Sequence, residues 1–252
     1  MTLTDKQLTH YHQHGYVLVP GLIDPDRLAA YNERFEAFAT GVLPTVEAMK
    51  VMRDVMVVKG AVTPATPLHG VNKLANFEAD PALYAYAREP RLVAAVQRIA
   101  GDALYTISTN IFNKPPGLDG RHPLHQDLRY FRLRPADQIV AAWTAIDPAT
   151  RESGCLAVIP GSHRGELRTH ADPDWDFVNA GFFAAGDIDI EHRKHVEMQP
   201  GDTLLFHPLL IHGSGSNRSD RFRRAISTHY ANAACESPNR DWRIGKQARP
   251  LG

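Results

Sequence analysis

The sequence predicts a mainly β chain with flanking helices, its antiparallel strands closed into a sandwich or barrel. Three observations lead there. Helix signals crowd into the first hundred residues. After Gly101 the chain turns to short runs rich in β-branched and aromatic residues, punctuated by Gly, Pro, Asn and Asp. Between those runs there is no convincing helical crossover, which parallel βαβ units would need. At this length one domain, residues 1–252, accommodates everything.

Each element has its own signal. Thr4 with Gln7 three residues on is a capping-box pattern and Gly15 a stop, so a first helix is expected over 4–14. Tyr16-Val17-Leu18-Val19 is a short apolar strand closed by Pro20. Asp24-Pro25 reads as an N-cap followed by proline in the first turn, and Leu28, Tyr31, Phe35 and Phe38 then recur at helical spacing. Asp80-Pro81 and Glu89-Pro90 open two more helices, the second with Leu92, Val96 and Ile99 on one stripe and Gly101 at its end. Strands are expected over 104–113, 139–147, 155–160, 203–212 and 225–232. Residues 1–100 thus form a mostly helical support and 101–236 the β core. The polar, Gly/Asp/His-rich stretch 164–198 reads as a long insertion or lid.

Composition removes several function classes. Lys+Arg 28 offset Asp+Glu 28, so no basic excess exists to bind nucleic acid or an anionic membrane. No run of apolar residues is long enough to span a bilayer. Two cysteines, Cys155 and Cys235, are too few for a disulfide scaffold or a thiolate metal cage. Residues 1–7 lack the basic and apolar succession of a secretory signal, and 249–252 is neither a peroxisomal nor a prenylation signal, so the cytoplasm is the expected compartment.

There are 13 histidines, and histidine is the commonest metal ligand. His125-Gln126-Asp127 is the central signal. On a strand, residues i and i+2 share a face, so an imidazole and a carboxylate there can reach one cation. His212, ending the apolar run before Gly213-Ser214-Gly215, is the best third ligand; His122 and His207 are its neighbours and read as structural. Two histidines and one carboxylate make the facial arrangement of non-haem Fe(II) oxygenases, with open positions for co-substrate and O2. Eleven residues on, Arg223 shares a strand face with Ala225, Ser227 and His229, while Arg224, Ile226 and Tyr230 take the other. An arginine aimed into a barrel needs an anion, and a dicarboxylate co-substrate supplies one.

These residues sit in longer blocks. Asn113-Lys114-Pro115-Pro116, Arg121-His122-Pro123-Leu124-His125-Gln126-Asp127, Ala142-Trp143-Thr144-Ala145, Gly154-Cys155-Leu156, Pro160-Gly161-Ser162-His163 and 207–215 together resemble the phytanoyl-CoA dioxygenase family of Fe(II)- and 2-oxoglutarate-dependent oxygenases, from about residue 10 to about 236. The resemblance implies a double-stranded β-helix (jelly-roll, cupin-like) core. It implies His125, Asp127 and His212 as iron ligands and Arg223 on the distal carboxylate of 2-oxoglutarate with Ser214 beside it. Lys73, Trp143 and Asn110 match further co-substrate contacts, although the residue type differs from the family's at Asn110. It also implies the reaction: hydroxylation of an unactivated C–H bond, at the 2-position of a branched fatty acyl-CoA such as phytanoyl-CoA, with succinate and CO2 released.

A CoA thioester would bring phosphates, and Lys114, Arg121, Arg129, Arg132 and Arg134 cluster around the iron motif where they could attract them. The same chemistry on a small molecule without CoA is the nearest alternative. A non-catalytic metal- or ligand-binding jelly roll, or a thiol enzyme using Cys155 or Cys235, are alternatives of another class. The first gives no role to an arginine suited to a dicarboxylate, and Cys155 reads as an inert core thiol.

Overall fold

The helix signals near the N-terminus fold as read. Helix α1 (Asp5–His14) begins where the Thr4 hydroxyl accepts from the Gln7 N–H and the Gln7 side chain accepts from the Thr4 N–H; it ends at Gly15, whose φ of 80° suits glycine. The computed structural model describes residues 2–238, 241–244 and 248–251; Met1 and Gly252, which the readings of the two termini include, lie outside them. Helix α2 (Pro25–Ala39) and helix α5 (Pro90–Ala100) follow their Asp-Pro and Glu-Pro starts, with the single turns α3 (Val55–Val58) and α4 (Pro81–Tyr84) between. Asp24 sits at the N-cap position but makes no capping bond; its carboxylate meets Arg91 instead.

Strands build two facing antiparallel sheets. In chain order they are β1 (Tyr16–Val19), β2 (Lys50–Arg53), β3 (Val71–Ala75), β4 (Leu104–Lys114), β5 (His122–His125), β6 (Ile139–Ala145) and β7 (Leu156–Val158). After these come β8 (His170–Ala171), β9 (Ala184–Ala185), β10 (Lys194–Val196), β11 (Thr203–Phe206), β12 (His212–Ser214), β13 (Arg223–Asn232) and β14 (Arg249–Pro250). The larger sheet runs β1-β11-β6-β13-β4-β3-β2, with β14 on β4; the smaller runs β10-β7-β12-β5, and β8 pairs β9. This is the jelly roll, a double-stranded β-helix.

The period of two divides the larger sheet's side chains between two cores. Leu74, Ile111, Val140, Ala142, Leu205, Ile226 and Tyr230 face outward and pack against Leu28, Tyr31, Phe35, Leu92 and Val96 of the helices. Ala141, Trp143, Leu204, Phe206 and Ala225 face inward against Leu156, Val158 and Val196 of the smaller sheet. Covered on both faces, β6 is buried throughout, which is why its sequence is a continuous apolar run and not an alternation.

Three expectations need correction. The run 203–212 is not one strand. It stops at Phe206, and after Pro208, which has no N–H to give a ladder, it re-forms as β12 in the other sheet. The 16–19 run is not the lone strand of the first hundred residues: β2 and β3, both short, the latter bracketed by Gly70 and Asn76, join it in the larger sheet. The 164–198 segment is not wholly an insertion, because its end, β10, is an edge strand of the smaller sheet.

The remainder of that segment is fastened by Gln126. Its side-chain amide donates to the carbonyls of Glu166 (3.1 Å) and Leu209 (2.9 Å) and accepts from the Arg168 N–H (2.8 Å), while its backbone N–H donates to His170 Nε2 (3.1 Å). Gln126 is fully buried, so truncation strands three backbone groups. Gln126→Ala is expected to lower stability by about 1–3 kcal/mol, read as a lower urea midpoint, and to speed limited proteolysis within 164–198.

Candidate active site

The site lies between the two sheets, and strand register assembles it. On the smaller sheet His125 of β5 stands opposite His212 of β12, and His122 opposite Ser214. On the larger sheet Lys114 faces Arg223, Lys73 faces Phe112, and Asn110, Ser227 and Trp143 form one rung across β4, β13 and β6. Residues 150 positions apart in sequence therefore share one interior.

His125, Asp127 and His212 each present one donor atom, and these lie within 4.8 Å of one another. Asp127 Oδ1 is 3.2 Å from His125 Nε2 and 3.7 Å from His212 Nε2. Ligands about 2.1 Å from an ion and at right angles would sit about 3 Å apart. Both ring orientations are fixed from behind, with His125 Nδ1 on the Pro123 carbonyl (2.8 Å) and His212 Nδ1 on the Leu210 carbonyl (3.0 Å). That leaves each Nε2 turned to the site with its lone pair available, the arrangement ligating imidazoles need. The donor set therefore fits a divalent transition metal with open positions. β5 ends at His125 and Asp127 opens a 3-10 turn, so the two are not on one strand; Gln126 keeps an extended backbone, which preserves the alternation.

Electrostatics favour the same state. Burial pushes His212 down to about 4, and pushes His122 well below the ordinary histidine range. Burial alone would raise Asp127, but the neighbouring His212 and His229, and the close side-chain contacts with His125 and His229, reverse this and hold its carboxyl well below the usual range. An ionised Asp127 beside a His212 that resists protonation is ready for a cation.

His229 is a residue that sequence reasoning placed on the correct face without giving it a role. Its Nε2 donates to Asp127 Oδ2 at 2.7 Å, leaving Oδ1 toward the two histidines. The ring packs on Phe131, and its Nδ1 is buried without a partner. The signal was the inward period of β13, which puts 223, 225, 227 and 229 in one row.

Of the arginines opening β13, Arg224 pairs with Asp147 (2.7 Å) and Glu36, and Arg221 is exposed beside Asp220. Arg223 is 2% exposed and has no carboxylate among the described residues. Its guanidinium lies 5.4 Å from the Trp143 ring, its Nε lacks a partner, and burial pulls it down to about 10. Ser227 Oγ, also buried and unpartnered, and Ser214 line the same narrow pocket, as does Trp143. These donors fit the far carboxylate of a small diacid, with Arg223 as its counter-ion. Lys73 and Asn110 line a larger adjoining cavity of about 1120 Å³ that reaches His125 and Asp127. The Lys73 ammonium sits 5.7 Å from the Phe112 ring and burial lowers its pKa; the Asn110 amide donates to Ser108 Oγ (3.1 Å).

The presumed cationic rim is different from expectation. Lys114 is buried and points inward, its Nζ donating to Ser214 Oγ (2.7 Å) and to the Gly215 carbonyl. Arg121 is neutralised by Asp119 (2.7 Å) and stacked on Trp175. Arg129 lies over Phe183 and Arg134 folds back on the Leu133 carbonyl; of the five, Arg132 alone lines the large cavity from an exposed position. Cys155 and Cys235 are both buried, and burial raises both thiols, Cys155 to about 11, which argues against the thiol-enzyme reading.

The sequence profile of the family described as "Phytanoyl-CoA dioxygenase (PhyH)" matches residues 11–225. This chain belongs to the phytanoyl-CoA dioxygenase family. It is 41% identical over 238 residues to a "Probable phytanoyl-CoA dioxygenase" of Caenorhabditis elegans, covering 91% of this chain and 76% of that protein. Identity to the human "Phytanoyl-CoA dioxygenase, peroxisomal" is 38% over 238 residues, 92% of this chain and 70% of that one. The fold matches the epimerase SnoN in complex with Fe3+, alpha ketoglutarate and nogalamycin RO (TM-score 0.70, 22% identity, 92% of this chain and 85% of that one). It also matches EvdO2 of Micromonospora carbonacea var. aurantiaca complexed with 2-oxoglutarate (TM-score 0.68, 20% identity, 95% of each).

Two outcomes follow for the site. His229→Ala is expected to weaken Fe(II) binding about 10- to 100-fold in an anaerobic metal titration, with the fold retained. In the metal-free protein His212 stays neutral in the fold down to about 4, whereas the unfolded chain takes up its proton near the ordinary 6.5. The unfolded state therefore binds more protons between those values, and the urea midpoint is expected to fall as pH is lowered through that window; His122 adds to it with the same sign.

Proposed function

We propose that this chain hydroxylates the 2-position of a fatty acyl-CoA, phytanoyl-CoA being the model substrate. The reaction class is that of its family: it is a 2-oxoglutarate-dependent dioxygenase that uses Fe(II), 2-oxoglutarate and O2. Its prime substrate is a small molecule. The acyl-CoA assignment draws on the names carried by its relatives and on one observation of the site. A cavity of about 1120 Å³ meets the metal donors, larger than the roughly 300–1,000 Å³ of ordinary small-molecule sites. Its walls include Ile107, Phe112, Phe131, Leu133 and Phe182, suited to an alkyl chain, while exposed Lys50 and Arg132 border it, suited to an anionic head group.

In this reading His125, Asp127 and His212 hold Fe(II). Arg223 neutralises the distal carboxylate of 2-oxoglutarate, with Ser214 donating to it and Trp143 flanking it; Lys73 and Asn110 border the co-substrate from the larger cavity. Bound iron, with 2-oxoglutarate and O2, supplies the oxidising equivalents for C–H hydroxylation and leaves succinate and CO2. The chain supplies placement and dryness. His229 fixes which Asp127 oxygen faces the metal, the backbone carbonyls of Pro123 and Leu210 hold the imidazoles as acceptors, and Phe182, from the 164–198 segment, closes against His122 (ring centroids 3.7 Å) to keep water from the donors. We take 1–252 as one oxygenase unit and the cytoplasm as its compartment, in keeping with two unpaired buried cysteines. Among the described residues no helix is long and apolar enough to cross a membrane.

The decisive measurement is succinate release in air across a panel of acyl-CoAs, free acids and small alcohols, with His125→Ala as blank. Acyl-CoA is expected to stimulate turnover well above the uncoupled background. Silence with every thioester, alongside stimulation by another class, would overturn the substrate assignment but not the reaction class.

A further inference from the structure

A second buried cation shares the pocket end that Arg223 occupies. Lys114 stands directly across the β4–β13 ladder from Arg223, so both side chains rise from the same sheet face. Like charges placed opposite one another on a sheet repel, and burial removes the water that would screen them. Lys114 is 5% exposed. The nearby acids are engaged elsewhere: Asp119 with Arg121 and the Ser216 hydroxyl, Asp147 with Arg224. Neither Lys114 nor Arg223 has an ion-pair partner among the described residues. Burial and, after it, the charge of Arg223 hold Lys114 well below the ordinary lysine range. Both groups can stay charged there only if something anionic completes the pair.

The contacts of Lys114 say how it would act. Its ammonium donates to Ser214 Oγ at 2.7 Å. That occupies a lone pair on Ser214 and leaves the hydroxyl hydrogen to be given to another acceptor. Ser214, Ser227 and Arg223 line one pocket, the last two with buried polar atoms that have no partner in the chain. We propose that Lys114 is a positioning residue for the co-substrate: it keeps Ser214 a donor toward the distal carboxylate of 2-oxoglutarate and adds a second positive charge to the pocket end that Arg223 defines. This rests on 2-oxoglutarate being the co-substrate, and goes beyond the residues assigned to it above. The competing role is a strut, Lys114 merely tying Ser214 and Gly215 to β4.

The two roles separate in an anaerobic titration of the Fe(II)-loaded protein, followed through the metal-to-ligand charge-transfer band. 2-Oxoglutarate is compared with 2-oxopentanoate, which has the same chelating end but no distal carboxylate. For Lys114→Met the Kd of 2-oxoglutarate is expected to rise about tenfold or more, as loss of one charge-assisted interaction implies. The Kd of 2-oxopentanoate and of Fe(II) should stay within about twofold, and in turnover the KM for 2-oxoglutarate should rise more than kcat falls. Equal weakening of both oxo acids, or no change in either, overturns the proposal. Ser214→Ala should weaken 2-oxoglutarate several-fold, and adding Lys114→Met to it should cost less than Lys114→Met alone. If Lys114→Met does not fold, Ser214→Ala decides: a change under about twofold overturns the proposal. A wild-type protein that gives no band with 2-oxoglutarate overturns the oxygenase reading and this one with it, whereas a normal wild-type band with unaltered variants overturns the role of Lys114 only.

Discussion

The pairing of β5 with β12 is the constraint on which the site depends. A metal needs donors about 3 Å apart, and no short segment of chain brings two imidazoles and a carboxylate that close without strain. Here an antiparallel register does so: His125 opposite His212 sets the two rings side by side, and an extended Gln126 returns Asp127 to the same interior. The close approach of the strands has a steric condition. A Cβ on Gly213 would lie 2.7 Å from the His122 carbonyl oxygen and 2.8 Å from that of Pro123, so the residue between His212 and Ser214 has no room for a side chain. Glycine there is a requirement of the metal geometry as much as of the sheet.

From that fixed point, charge grades along the interior of the sandwich. At the metal end lies a carboxylate held by three imidazoles; at the other end lie two cations with no acid to match. Between them sit Trp143 and Phe112, which exclude water and so lengthen the reach of both fields. Such an interior is costly for the empty protein, since each unpaired buried polar atom loses its hydration. It is complementary to a molecule that chelates a metal with one end and carries a negative charge at the other. The protein's electrostatics thus describe a two-ended anion of fixed length before any ligand is placed in it.

The candidate metal donors His125 and Asp127 were legible because they obey the period of two, and Arg223 because the same period turns it to the face of Ala225, Ser227 and His229. The starts of α1, α2, α4 and α5 were equally clear, each announced by a cap or a proline, whereas the single turn α3 was not anticipated. What escaped were features that exist only across strands. Lys114 reads as one of five cations near a motif, and nothing local tells that β4 carries it inward beside Arg223. His229 looks like a face-filling residue until Asp127 meets it from 102 positions away. The split of 203–212 between two sheets was signalled only by Pro208, and apolar content on both sides masked it. β2 and β3 are too short for alternation to show, although Gly70 and Asn76 bracket β3, which brings Lys73 to the cavity. Resemblance to a family could supply Lys73 and Trp143, but not the second cation or the outer partner of the carboxylate.

The tripeptide 125–127 shows how tightly the two kinds of information are joined. Alternation turns His125 and Asp127 inward as donors and, by the same rule, turns Gln126 outward. There it grips the carbonyls of Glu166 and Leu209 and the Arg168 N–H, all in other segments of the chain. Leu209 lies three residues before His212, and Glu166 and Arg168 begin the segment that delivers Phe182 to the cavity. One side chain therefore couples the first pair of donors to the loop that carries the third and to the cover over all of them. A substitution at Gln126 removes no donor, yet it cuts the ties from 125–127 to 209 and to 166–168, and the separation of the three donors is set across chain segments and not within any one.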